Sequence, residues 1–291
     1  MPTTPVVLRA LVDDAAVFPP GNATLADAVR AHAGHRAAWY ADCVGPLLVP
    51  VASAADLVRV LDERDAVASR ATVDPLALVL VARPGADPAT LMSARAALDD
   101  DGRVRVVGAE LGWYDGWYDD LAGELPLAVE VPRGPEADLA VAQARTAHRE
   151  GLPVVAKLRT GPTATCAWPD EAEVATFLRT VALEVPFRLT GGLHHAVRGR
   201  YEVAGTPEEN HGVLNVLVAT SAALARAGQD EVEALLAVTD ASALADLVAA
   251  WPDDTASRVR AAFTAYGCCT VTDPLGELAE LGLLPSPSAS P

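Results

Sequence analysis

Leu152-Pro153-Val154-Val155-Ala156-Lys157-Leu158-Arg159-Thr160-Gly161 has the outline of a buried strand that ends on a glycine. Side chains alternate faces along a strand, so Ala156 and Leu158 share one side and Lys157 and Arg159 the other. The apolar pair is expected to face a layer of helices and the two cations to face inward, as in the wall of a barrel. Lys157 is also the only lysine among the 22 basic residues of the chain. Unlike arginine, a lysine can give up its proton near neutral pH and attack carbon as a neutral amine. The competing reading of the same residue is a buried structural ion pair.

Working outward, short apolar runs alternate with helical stretches from end to end, the pattern of parallel α/β architecture. Strands are expected at about 6–12, 46–51, 76–82, 103–110, 126–131, 153–159, 186–190 and 268–272. Eight runs in a chain not far above ~250 residues, with no Gly-rich dinucleotide fingerprint, predict a (β/α)8 TIM-type barrel rather than a doubly wound open sheet. Helix starts carry capping chemistry at Thr24 with Asp27, Ser53 with Asp56, Asp87-Pro88 and Asp273-Pro274. The span from Gly192 to Gly267 is too long for one loop and one helix. It predicts a helical insertion at about 196–266 between strands seven and eight, with a long helix over Glu209–Ala227 and further helices near 230–237, 241–251 and 255–265. The insertion would cover the barrel mouth or form a homo-oligomer contact. Residues 1–284 then form a single barrel domain, and the Pro/Ser-rich 285–291 a disordered tail.

Composition narrows the function. The formal net charge of −17 argues against nucleic acid and anionic membranes as partners, since both are bound through basic patches. No apolar run approaches the ~20 residues of a membrane span, and the start of the chain lacks a secretory pattern. Cys43, Cys166, Cys268 and Cys269 have no CxxC spacing, which suits reduced thiols in a cytoplasm. No base lies beside Cys166 or Cys268-Cys269 in sequence, so these cysteines read as small apolar residues.

In a barrel of sequential strands the C-terminal strand ends converge, and catalytic groups collect there. Glu110, Glu130 and Lys157 become neighbours, with Asp13 and Asp14 closing strand one. Carboxylates beside an amine form a proton-transfer constellation, unless Glu130 only balances the charge of Lys157 or Arg159. Arg188, Gly191, Gly192, His194 and His195 form a second rich stretch. The glycines permit close backbone approach to an anion, and Arg159, Arg188 and the histidines can hold one. A divalent metal held by His194, His195 and the strand-end carboxylates is the alternative. His211 and Asn215 share a helical face that is expected to point into the mouth, unless His211 belongs to a helix cap. The aromatic cluster Trp113-Tyr114-Asp115-Gly116-Trp117-Tyr118 and the turn Phe18-Pro19-Pro20-Gly21-Asn22 can each wall a pocket.

At Lys157-Leu158-Arg159-Thr160-Gly161 the chain resembles the sixth strand of class I aldolase barrels of the deoxyribose-phosphate aldolase type, which carry a Lys-x-x-Thr-Gly pattern. The resemblance implies a Schiff-base lysine at Lys157. That family has a second lysine on the next strand; this chain has none, and Arg188 or Arg159 stands as the nearby cation. The FPP turn, KLRTG, GLHHAVR, the later His-Gly-x-Leu-Asn and the stretch from Tyr266-Gly267-Cys268-Cys269 onward together resemble a group of uncharacterised bacterial proteins, a likeness that brings no activity with it.

The expected function is therefore a lyase of aldolase type, acting without a cofactor on a small anionic, carbonyl-bearing metabolite. Lys157 would act as nucleophile or acid/base and Glu130 or Glu110 as proton shuttle. Arg159, with His194 or His195, would hold the anionic or oxyanion end. A metal-dependent isomerase or hydrolase, and a non-catalytic ligand-binding barrel, are the other two readings.

Overall fold

The computed structural model describes residues 4–67, 74–121, 123–162, 167–203 and 206–285. Eight parallel strands close a barrel: β1 (Val12–Asp14), β2 (Val44–Pro50), β3 (Leu76–Val81), β4 (Val104–Gly112), β5 (Leu127–Glu130), β6 (Val154–Arg159), β7 (Phe187–Thr190) and, after an antiparallel hairpin of β8 (Gly199–Val203) and β9 (Thr206–Asn210), β10 (Phe263–Cys268). Their order around the barrel follows the chain, and β10 returns to pair with β1. The helices are α1 (Leu25–Ala37), α2 (Ala54–Val67), α3 (Pro88–Asp99), α4 (Trp117–Leu121), α5 (Ala137–Arg149), α6 (Glu171–Val181), α7 (Val213–Leu224), α8 (Gln229–Leu236), α9 (Ala241–Ala249), α10 (Asp253–Ala262) and α11 (Thr272–Glu280). This is the TIM-type barrel that the alternation of runs predicts. Among the described residues, no helix is long and apolar enough to cross a membrane.

Alternation along β6 sets the site. Ala156 and Leu158 pack outward with Ala140 and Val141 of α5 and Val174, Phe177 and Leu178 of α6. Lys157 and Arg159 consequently face the barrel interior. The same parity turns Glu110, Glu130 and Arg188 inward. The interior apolar contribution is small: Ala15, Leu48 and Val79 are buried there, with Phe18, Val81 and Val107 packed against them.

Several boundaries move. In the expected first strand, Val6–Leu8 form a 3-10 turn packed against α10, and β1 starts only at Val12. The run is apolar because Val7 and Leu8 bury in the outer core, not because it pairs along its length. The eighth barrel strand lies at Phe263–Cys268 instead of 268–272, fixed by Phe263 opposite Phe187 and Tyr266 opposite Val12. The long helix does not begin at Glu209. Thr206–Asn210 pairs with Gly199–Val203, and α7 starts at Val213 after Gly212. Thus the connection between strands seven and eight of the barrel is a hairpin followed by four helices.

Thr24 caps α1 through the Asp27 amide, and Asp87 caps α3 through the Ala89 amide with Pro88 at the first turn. Ser53 instead closes a 3-10 turn, and α11 starts at Thr272, one residue before Asp273. Cys166 and residues 286–291 of the expected tail lie outside the described residues.

Candidate functional site

Six charged side chains meet inside the barrel as one chain of ion pairs. Glu130 lies opposite Lys157 across the β5–β6 pair, and Lys157 opposite Arg188 across β6–β7. Lys157 Nζ donates to Glu110 Oε2 at 2.7 Å and lies 2.8 Å from Glu130 Oε2. Arg159 Nε donates to Glu130 Oε1 at 2.9 Å. Arg188 Nη2 lies 2.9 Å from Glu110 Oε1 and also pairs with Asp13. Three carboxylates thus offset three basic side chains, so each buried group of the chain has a partner of opposite sign.

Burial is graded along this chain. Lys157, Glu110 and Asp13 are each 2% exposed, whereas the Arg159 side chain is 34% exposed at the C-terminal mouth. Burial pushes the Glu110 carboxyl upward, but Arg188 and Lys157 outweigh it and hold the group below the ordinary carboxylate range. Burial acts likewise on Glu130, and Lys157 and Arg159 again win, so it too is held low. Asp13 goes the other way. Its burial is only partly offset by Arg188, and Glu110 adds to the push, which brings it up to about 6.

Above Lys157 the mouth opens into a cavity of ≈ 160 Å³ lined by Pro84, Gly112, Trp113, Glu130, Val131, Pro132, Arg133, Arg159 and Gly161. Glu130 and Arg159 form its polar floor; Lys157 lies one layer beneath. Trp113 supplies an aromatic wall, with its Nε1 donating to Gln143 Oε1 at 2.7 Å, while Trp117 is fully buried against the same glutamine. Gly191 (φ 69°) and Gly192 (φ 77°) adopt left-handed backbone that only glycine takes readily. Their loop is closed by the Thr160 hydroxyl, which donates to the Gly191 carbonyl. Arg159 Nη1 lies close beside Gly191, so this loop forms the β7 side of the mouth.

Other expected residues go elsewhere. Asp14 faces outward and bonds His32 Nδ1 of α1 at 3.0 Å. His195 Nδ1 bonds Glu277 Oε1 of α11 at 2.6 Å and stacks on Tyr201. His194 Nδ1 faces Cys269 and Cys268 at 3.5 and 3.8 Å. Neither histidine joins Glu110, Glu130 or Asp13. Among the described residues, no group of three or more His, Cys, Asp or Glu side chains is placed to hold a metal ion.

His211 and Asn215 do not point into the mouth. His211 Nε2 donates to the Pro169 carbonyl at 2.8 Å. Fully buried Asn215 donates to the Leu235, Leu236 and Val238 carbonyls and accepts from the Arg198 amide at 2.8 Å, which ties α7 to the end of α8.

Two features escape sequence reasoning. Arg133 lines the cavity from the loop after β5, with Nη2 on Glu173 Oε1 at 2.6 Å. Cys269 has a base after all, in His194, brought in from 75 residues away. Placing the eighth strand at Phe263–Cys268 would have flagged Cys269 as the first residue past a barrel strand, where reactive groups collect. Comparison with known proteins found no matching family model, no matching curated protein and no matching solved structure.

Proposed function

We propose that the barrel is a lyase of aldolase type that takes a small carbonyl-bearing anion at its C-terminal mouth. One observation carries this reading. Glu130 forms the cavity floor with Oε1 on Arg159 Nε and Oε2 shared between Lys157 and, at 3.3 Å, Arg159 Nη2. A carboxylate or phosphate entering the cavity competes with Glu130 for Arg159, and Arg133 adds a second cation on the wall. Glu130, released from Arg159, becomes more basic and takes a proton from the Lys157 ammonium. The neutral amine adds to the substrate carbonyl carbon, and loss of water leaves an iminium. That iminium accepts the electron pair of the breaking carbon–carbon bond. The resemblance of the Lys157–Gly161 stretch to the aldolase strand agrees with this role. Arg188 stands two residues along the same ion-pair chain as the compensating cation.

The test is trapping. The protein is incubated with borohydride and a panel of 2-oxo acids and phosphorylated aldehydes, and the adduct is located by peptide mass mapping. The expected result is a reduced adduct on Lys157 that is absent in Lys157→Arg, which keeps the ion pairs but cannot form an iminium. A second reading, a non-catalytic ligand-binding barrel, is favoured by the tight grip of two carboxylates on Lys157. Equal ligand binding by wild type and Lys157→Arg, with no adduct from any panel member, decides for it.

A further inference from the structure

Three segments that this chemistry leaves unused meet at Cys269: the Phe18-Pro19-Pro20-Gly21-Asn22 turn, the loop carrying His194, and the end of β10. Cys269 Sγ lies 3.5 Å from His194 Nδ1 and 3.5 Å from Thr270 Oγ1. A Cβ at Gly21 would sit 3.0 Å from the Cys269 Cβ and 2.7 Å from the Ala16 carbonyl oxygen, so glycine is what lets the turn close over the cysteine. Cys268 is fully buried, whereas Cys269 is partly exposed, and neither is in a disulfide.

Burial, reinforced by His195, pushes the His194 imidazole down, which favours the neutral ring; in its Nε2-protonated tautomer the Nδ1 lone pair faces the Cys269 S–H. Burial also pushes the Cys269 thiol up; the Thr270 hydroxyl and the Gly21 amide oppose that push. A partly exposed thiol 3.5 Å from a neutral imidazole, with a hydroxyl at the same distance from the sulfur, has the base at hand that a cysteine nucleophile needs to lose its proton. His195, Cys268 and Asp273 are the other titratable groups that act on the pair.

We propose that Cys269 is a nucleophilic thiol with His194 as its base, and that its reaction partner is a small disulfide. The groups around the sulfur all address the sulfur itself and not an oxygen on a carbon under attack, which suits thiol–disulfide exchange over acyl transfer. His194 takes the thiol proton as Sγ attacks one sulfur of the disulfide. A Cys269 mixed disulfide forms, the small S–S bond breaks, and the departing thiolate takes the proton back from His194. Cys269 is oxidised, and the small disulfide is reduced to one free thiol and one bound half. This modification is independent of any role for Lys157.

The test uses the full chain and bis(2-hydroxyethyl) disulfide, followed by peptide mass mapping against time. One hydroxyethylthio group is expected on Cys269, formed below pH 8 and removed by a small dithiol reductant. The rate should fall by about tenfold or more in His194→Gln, the lower range of general-base effects being ~10²-fold with some rescue by solvent. It should fall severalfold in Thr270→Val, whose fold is checked by its unchanged circular dichroism. Equal Cys269 labelling rates in wild type and His194→Gln overturn the proposal. So does the absence of Cys269 labelling in the folded protein when the denatured chain labels readily.

Discussion

On β6, Ala156 and Leu158 meet the helices through apolar contact, while Lys157 and Arg159, one residue away, belong to a chain of six charges. The two faces of this wall are held by different physics. Outside, burial is non-directional, and any apolar group of similar volume keeps most of the stabilisation. Inside, each ion depends on a named partner at hydrogen-bond distance, and removing one strands the next. A scaffold that needed only stability would gain by filling the interior with aliphatic side chains, as other barrels do. Keeping six charges there instead makes the inner face depend on particular partners.

The largest expected effect is on the inner face. Lys157→Met leaves Glu110 and Glu130 facing an apolar chain, a loss of roughly 4 kcal/mol by analogy with broken buried pairs. Denaturant unfolding measures it, and the double variant Lys157→Met with Glu110→Gln should recover part of the loss. If the single and double variants are equally destabilised, the ion-pair chain is not the inner organising element. On the outer face, Leu158→Ala should cost about 3 kcal/mol from lost burial and a partly collapsed cavity, while Leu158→Met should cost about 1 kcal/mol or less. A comparably mild loss for Lys157→Met would erase the contrast between the faces.

Asp13 sharpens it through pH. Its folded pKa of about 6 lies above the ordinary value of 3.8. The folded state therefore binds the extra proton. Asp13 contributes stability that is fully present below pH 3.8 and is lost as pH rises through about 6, an effect of ~3 kcal/mol at most. Asp13→Asn should flatten the fall of stability between pH 4 and 6, read as thermal midpoints in matched ionic strength. An unchanged pH slope would place the titration elsewhere. Arg159, at the solvent edge, is the smallest case. Arg159→Met should change stability by less than about 1 kcal/mol because solvent screens its pair. Its effect should instead appear as weakened binding of anions at the mouth, measured by calorimetry.

Much of this was legible in the sequence. The parity of Val154–Arg159 set Lys157 and Arg159 inward, and the order of the runs made Glu110, Glu130 and Lys157 neighbours. Thr24 and Asp87 acted as the caps they looked like. Other residues misled for identifiable reasons. Val6–Leu8 are apolar, but they bury against α10, and burial alone does not distinguish a strand from a turn. Phe263 continues the helical spacing of α10, yet its pairing with Phe187, and that of Tyr266 with Val12, pulls the segment into the sheet. Glu208 and Glu209 favour a helix locally, but the hairpin with Tyr201 and Arg200 overrides that preference. Asn215 has the look of a site residue and spends its amide on helix-end carbonyls.

The sequence by itself determined which strand faces are charged and which apolar, because strand alternation and the order of the eight runs are properties of neighbouring residues. Only the tertiary structure decided partnership: that Arg188 reaches Asp13 from 175 positions away, that Lys157 is held between two carboxylates, and that His194 leans on Cys269. The physical reason is range. Propensity and periodicity act over a few residues, whereas hydrogen bonds and ion pairs are decided by ångström distances that exist only once the barrel has closed.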